Sequence, residues 1–148
     1  MSDLHELLAA IRRDGDLDPL LDAIPYMRTL GLRASVRDGD LITHLAGGER
    51  LIGNPVLPAL HGGVVGAMLE STAILKVLRE HDARAVPKTI TLTVDYLRSA
   101  RVVETWARAN ITRLGRRIAN VQVQAWQDSE QRPIAVAHCN FLLVSDSS

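Results

Sequence analysis

The chain has 148 residues, is 47% apolar, and carries 17 basic and 17 acidic residues, a formal net charge of zero. That length suits one domain spanning residues 1–148. The absence of a basic excess argues against a nucleic-acid partner, and the absence of self-repulsion eases self-association.

Leu4 to Arg12 places Leu4, Leu7, Leu8 and Ile11 at helical spacing and predicts a helix, within an N-terminal helical extension over residues 1–23. Leu17 to Leu30 predicts a second helical piece, broken by Pro25 and closed by Gly31. Leu32 to Val36 and Leu41 to Leu45 predict two strands joined by a turn at Asp38-Gly39. Gly47 to Leu60 is expected to be a loop, since Pro55 and Pro58 exclude helix. His61 to His81 predicts the main helix. Four strands should follow in a meander, at Thr89–Leu97, Val102–Thr112, Arg117–Gln127 and Pro133–Val144. In the first of these, Ile90, Leu92, Val94 and Tyr96 are expected on one face, with Thr89, Thr91, Thr93 and Asp95 on the other. The pattern is α+β: one antiparallel sheet packed on one long helix.

That helix is apolar almost all round, from Val64 to Leu78, so it must be buried on most sides. A single flat sheet covers one side; either the sheet wraps around the helix or a second subunit covers the rest. Glu70 interrupts the apolar surface, and no basic residue stands three or four positions away. A buried, unpaired carboxylate is costly and tends towards a raised pKa, the profile of a general base or nucleophile. The alternative is that Glu70 lies on an exposed edge with no role. Gly62 and Gly63 open the helix after His61. Their bare backbone lets a substrate carbonyl reach free N–H groups at the positive end of the helix dipole, an oxyanion hole. The alternative is a glycine-rich start that permits tight packing. Gly62 and Glu70 are eight residues apart. On one helix that is roughly 12 Å and about 80° of rotation. Two antiparallel helices related by a twofold axis would bring one copy's Gly62 to the other's Glu70.

The segments HGGVVGAMLESTA (His61–Ala73) and TITLTVDYLRSA (Thr89–Ala100), with IPYMRTLGL (Ile24–Leu32) before them, resemble hotdog-fold thioesterases of the phenylacetic-acid-degradation type. The resemblance runs in matching order from Ile24 to Val144. It implies a curved antiparallel sheet wrapped around the long helix, and a dimer or a dimer of dimers joined edge to edge. The substrate it implies is an acyl-CoA, cleaved to free acid and CoA. Glu70 then falls at the catalytic carboxylate, Gly62 at the oxyanion amide, and Thr89 at a hydroxyl that positions water or carboxylate. His61 would fix the helix start, with Gly63 beside the substrate. Relatives place an Asn or Gln six residues before this His; Pro55 stands there, and the role is carried to Asn54. Leu57, Leu60 and Met68 suggest an apolar acyl pocket.

Cys139 is the sole cysteine, which rules out an internal disulfide, and no metal-ligand spacing occurs. No cofactor or metal is expected. The charged N-terminus does not read as a secretory leader, and the stretch from Val64 to Leu78 is too polar to cross a bilayer. A cytoplasmic protein without membrane contact is expected. Arg113, Arg116 and Arg117 flank a turn, either to meet a CoA phosphate or simply to solvate it. Two other functions stay open. One is a hotdog dehydratase or hydratase, whose motif is missing here; the other is an acyl-CoA-binding module without catalysis.

Overall fold

A computed structural model describes residues 4–81 and 85–144; the ends of the expected 1–148 span lie outside the described residues. Three short helices come first: α1 (Leu4–Asp14), α2 (Asp18–Ala23) and α3 (Pro25–Leu30). Pro25 begins α3, so the helix predicted over 17–30 is two helices meeting at Ile24. Gly31 ends α3 in the left-handed region at φ 74°. β1 (Leu32–Arg37) and β2 (Asp40–Leu45) form the expected hairpin. Asp38 and Gly39 both have positive φ, as a two-residue hairpin turn matched to strand twist requires.

The expected loop from Gly47 to Leu60 is instead structured. A 3-10 turn at Glu49–Leu51 leads into a small hairpin of β3 (Ile52–Asn54) and β4 (Ala59–Leu60). Pro55 and Pro58 do exclude helix, but at the tip of a hairpin they leave its strands free to pair. The long helix α4 (Gly62–Glu80) follows, then β5 (Lys88–Tyr96), β6 (Thr105–Leu114), β7 (Ile118–Trp126) and β8 (Ala135–Leu142).

The main sheet is antiparallel throughout, in the order β1-β2-β6-β7-β8-β5. The predicted four-strand meander is therefore corrected: β6, β7 and β8 form one, but β5 lies beyond β8 at the edge. Residues 97–104 then carry the chain back across the end of the sheet. Buried Gln127 ties this crossover down. Its Oε1 accepts from Arg101 N, and its Nε2 donates to Arg101 O and Thr105 Oγ1. Alternation reports which face a side chain takes, not which strand lies beside it.

The sheet curves around α4, which touches β2, β5, β6, β7 and β8, while α1 packs on its flank. Helix residues from Val65 to Leu78 are buried, save Ala67 and Glu70. Two of the polar side chains on this span, Thr72 and Lys76, are answered by the sheet. Thr72 donates to Met68 O at 2.6 Å, so the proton it shares with Thr43 at 2.7 Å comes from Thr43. Lys76 reaches out of the core to Asp40 at 2.8 Å and to Glu80. No helix among the described residues is long and apolar enough to cross a membrane.

Burial alone would raise the Asp40 carboxyl, but the hydrogen bond and charge of Lys76 outweigh it and hold the group below its ordinary 3.8. A carboxyl lowered in the folded state stabilises above its unfolded value, and that stability is lost as pH falls through the folded value. Lys76→Ala is expected to lower unfolding free energy by about 1–3 kcal/mol at neutral pH, since it leaves half-buried Asp40 with only the Leu41 amide and Arg108 at 3.7 Å. The variant's stability should also fall less steeply than wild type below pH 4 or so. Urea titrations between pH 3 and 7 measure both.

Candidate active site at the start of α4

The β3–β4 hairpin fixes where α4 begins. His61 N donates to Leu51 O at 2.8 Å, and Leu60 N donates to Ala100 O at 2.9 Å. Gly53 lies hard against the helix start; a Cβ there would stand 2.5 Å from His61 Cα. His61 is the N-cap. Its Nδ1 accepts from Gly63 N at 2.8 Å, and its carbonyl accepts from Val64 and Val65. Every amide of this first turn therefore has a partner but one: among the described residues Gly62 N–H makes no hydrogen bond. Gly62 lines a cleft of about 340 Å³ with Leu60, Val65, Tyr96, Ser99 and Ile134. Tyr96 Oη donates to Gly62 O at 2.7 Å. Added Cβ atoms at Gly62 and Gly66 would meet the Tyr96 side chain at 3.5 and 3.4 Å. Sequence reading treated Tyr96 as a strand residue only. The signal it missed is the pair of glycines one helical turn apart, which leave a groove for the ring.

Glu70 lies two turns further along α4. It is half-buried, and its carboxylate makes no hydrogen bond or ion pair among the described residues. Burial, with the negative charge of Glu70 added to it, pushes the Cys139 thiol up to about 11. Glu70 is therefore close to the inner face of β8, where Cys139 is paired with Leu92 of the edge strand.

Thr89 does not share a face with Thr91. Thr89 pairs with Phe141 and Thr91 with Asn140, so Ile90 is an extra, bulged residue. The bulge turns Thr89 to the inner side with buried Phe141, alongside Leu92, Val94 and Tyr96. Unbroken alternation of residue types in the sequence concealed it.

Other expected site residues are scattered in the single chain. Asn54 Oδ1 accepts from Val56 N at 3.0 Å and Leu57 N at 3.3 Å, shaping the hairpin tip. Leu57 is exposed on that tip, Leu60 is buried under the cleft, and Met68 is fully buried in the helix–sheet core. These three do not meet in one pocket. Gly62 and Glu70, two turns apart on one helix, do not meet either.

The cap geometry ranks three glycine substitutions. Gly53→Ala is expected to be the most damaging, because the His61 backbone must move. Gly63→Ala, with its Cβ 2.9 Å from His61 Nδ1, should lose the cap at a cost of about 1 kcal/mol. Gly62→Ala meets only ordinary contact and should stay within about 0.5 kcal/mol of wild type. Thermal melts of the three variants test the order.

Comparison with known proteins agrees with this architecture. The family model for the Thioesterase superfamily matches residues 57–134, which include His61, Gly62, Glu70 and Thr89. A search of curated proteins returned no match. Among solved structures, a protein from Chromobacterium violaceum is 31% identical with a TM-score of 0.78, covering 96% of this chain and 99% of its own. A phenylacetic acid degradation-related protein from Ralstonia eutropha is 25% identical with a TM-score of 0.74, covering 93% and 99%. A Bacillus halodurans protein solved with CoA is 17% identical with a TM-score of 0.72, covering 99% and 97%, and shares the fold. With more than half its length matched by the family model and a sheet wrapped around one long helix, the chain belongs to the hotdog-fold Thioesterase superfamily.

Proposed function

We propose that the protein is an acyl-CoA thioesterase whose site forms between two subunits. The observation that carries this reading is the unpartnered Gly62 amide, spared at a helix start where His61 takes the neighbouring Gly63 amide. An amide there, with the helix dipole behind it, stabilises the oxyanion that develops when a thioester carbonyl is attacked. Family membership supports the reaction class, and the Bacillus halodurans relative solved with CoA supports the carrier.

The second subunit supplies the carboxylate. β5 is a nine-residue edge strand with both faces open to solvent; Ile90 is 55% exposed and Tyr96 56%. A long edge of this kind is a template for another strand. Antiparallel pairing about a twofold axis at its midpoint, Leu92, sets Tyr96 of one copy beside Lys88 and Thr89 of the other. Gly62, held by Tyr96, then approaches Glu70 and Thr89 of the partner subunit. Exposed Val56 and Leu57 on the β3–β4 tip are further apolar surface for a second copy to cover.

In this arrangement the thioester carbonyl oxygen rests on Gly62 N–H. Glu70 either attacks the carbonyl carbon or takes a proton from an attacking water. On the water route the carbon–sulfur bond breaks, the departing CoA thiolate takes the proton held by Glu70, and the free acid remains; on the direct route CoA leaves with a proton from solvent, and water then cleaves the anhydride formed on Glu70 to give the free acid. Thr89 on the inner face orients the water or the carboxylate. Hydrolysis of CoA esters and the lone reduced Cys139 both fit a cytoplasmic setting.

Asn54 favours a second reading, an acyl-CoA-binding module. Its carbonyl oxygen is already committed to Val56 and Leu57 and so is not free to accept from a water. Thiol release from a panel of acyl-CoAs separates the two, since a binding module saturates without turnover.

Glu70→Gln should lower kcat about 100-fold or more while acyl-CoA binding and melting temperature persist. Near-wild-type thiol release from this variant would remove Glu70 from the mechanism. Thr89→Ala should cost far less, about the fivefold expected of one hydrogen bond. Size exclusion with light scattering should show a dimer or a dimer of dimers, and a fully active monomer would end the shared-site reading.

A further inference from the structure

The amide on which the proposed reaction turns belongs to a glycine, the residue with the widest choice of backbone angles. Two contacts remove that freedom at Gly62. The His61 carbonyl is the other end of the peptide that bears the Gly62 N–H, and it accepts from Val64 N at 2.9 Å and Val65 N at 3.3 Å. The Gly62 carbonyl, on the far side of the Gly62 Cα, accepts from Tyr96 Oη at 2.7 Å. With both carbonyls tied, neither rotation about that Cα is free. The N–H, unpartnered among the described residues, keeps one direction beside the cleft that Gly62 and Tyr96 line together.

Tyr96 is itself firmly placed. It pairs with Ala135 on β8, and the next two amides, Leu97 N and Arg98 N, both donate to Ile134 O. The Arg98 guanidinium adds a bond to Pro133 O at 2.6 Å. Val94 and Tyr96 stand two residues apart on the face of β5 that meets α4, and both border Gly66. Packing alone does not call for the hydroxyl, because a phenylalanine ring would fill the same groove over Gly62 and Gly66. What the oxygen adds is one bond, and it goes to the residue whose amide is left free.

We infer that Tyr96 is a positioning residue of the thioester site: its hydroxyl fixes the Gly62 peptide so that the free amide meets the oxyanion as it develops. This rests on the thioesterase reading above. Tyr96 also ends the strand along which the second copy is proposed to pair. In a single chain it is 56% exposed, so water competes for its hydroxyl. A paired β5 covers the ring and dries the bond, and a hydrogen bond in drier surroundings is stronger. Assembly then firms the oxyanion amide of one subunit in the same step that brings up the partner subunit's Glu70.

The test is Tyr96→Phe, which keeps the ring in its groove and removes only the oxygen. Its kcat on an acyl-CoA should fall about tenfold with KM nearly unchanged, a smaller loss than the roughly 100-fold or more of removing an oxyanion donor outright. A trifluoromethyl ketone analogue of the same acyl-CoA presents a tetrahedral oxygen where the oxyanion would form. It should bind the variant about tenfold more weakly, whereas CoA itself should bind as it does to wild type. Melting curves and size exclusion should match wild type. In isotope-labelled protein the carbonyl and amide resonances of Gly62 should both shift in the variant, while those of Gly39 in the first hairpin stay in place. Unchanged kcat and analogue binding in a folded Tyr96→Phe would overturn the positioning role. Equal losses for the analogue and for CoA would also overturn it, because they would make Tyr96 a ligand contact, and so would a broken oligomer, which would assign the hydroxyl to assembly. A wild type inert on every thioester would sink the thioesterase reading instead, and the Gly62 resonances would then decide by themselves whether Tyr96 holds that peptide.

Discussion

α4 has no polar face, and that constraint organises the molecule. A helix apolar on all sides cannot rest on a flat sheet without leaving much of its surface in water. The sheet answers by curving, so that strands from β2 to β5 all touch the helix, and α1 closes the flank. Polar side chains caught on the buried span must then find partners or reach out. Thr72 finds Thr43 and the Met68 carbonyl, and Lys76 extends to Asp40 and Glu80. Glu70 has neither among the described residues. A carboxylate left unanswered in so apolar a setting stands ready for chemistry or for a second chain, and the proposed site uses both.

The first turn of α4 divides its hydrogen-bonding groups in a way that only close backbone packing allows. His61 folds back onto the Gly63 amide, which needs Gly63 to lack a Cβ. Gly53 lets the β3–β4 hairpin press against His61, and the Tyr96 hydroxyl holds the Gly62 carbonyl. The Gly62 amide is what remains. Its freedom follows from the cap chemistry of its neighbours, and the cleft beside it is walled by the ring that grips the same residue.

The two edges of the main sheet are unlike. β1 is a six-residue strand tied to β2 by a tight turn, while β5 is longer and open on both faces. On β5 the bulge at Ile90 moves Thr89 to the inner side, towards the region of α4 that holds Glu70. The bulge puts Thr89 on the same inner face of β5 as Leu92, Val94 and Tyr96.

Much of this was legible in the residues alone. Apolar periodicity marked α4, Asp38-Gly39 marked the first hairpin, and alternation marked β6, β7 and β8, because burial and turn chemistry act locally along the chain. His61, Gly62 and Glu70 stood out because glycines at a helix start and a lone carboxylate on an apolar helix are local departures from a packing pattern. What local pattern could not carry was anything set by chain segments distant in sequence. The place of β5 beyond β8, the bulge that turns Thr89, the β3–β4 hairpin under His61 and the grip of Tyr96 on Gly62 all depend on strand pairing and backbone approach. Those are decided by which register buries the most apolar surface without stranding a polar group, a sum over the whole fold that no short stretch of sequence contains.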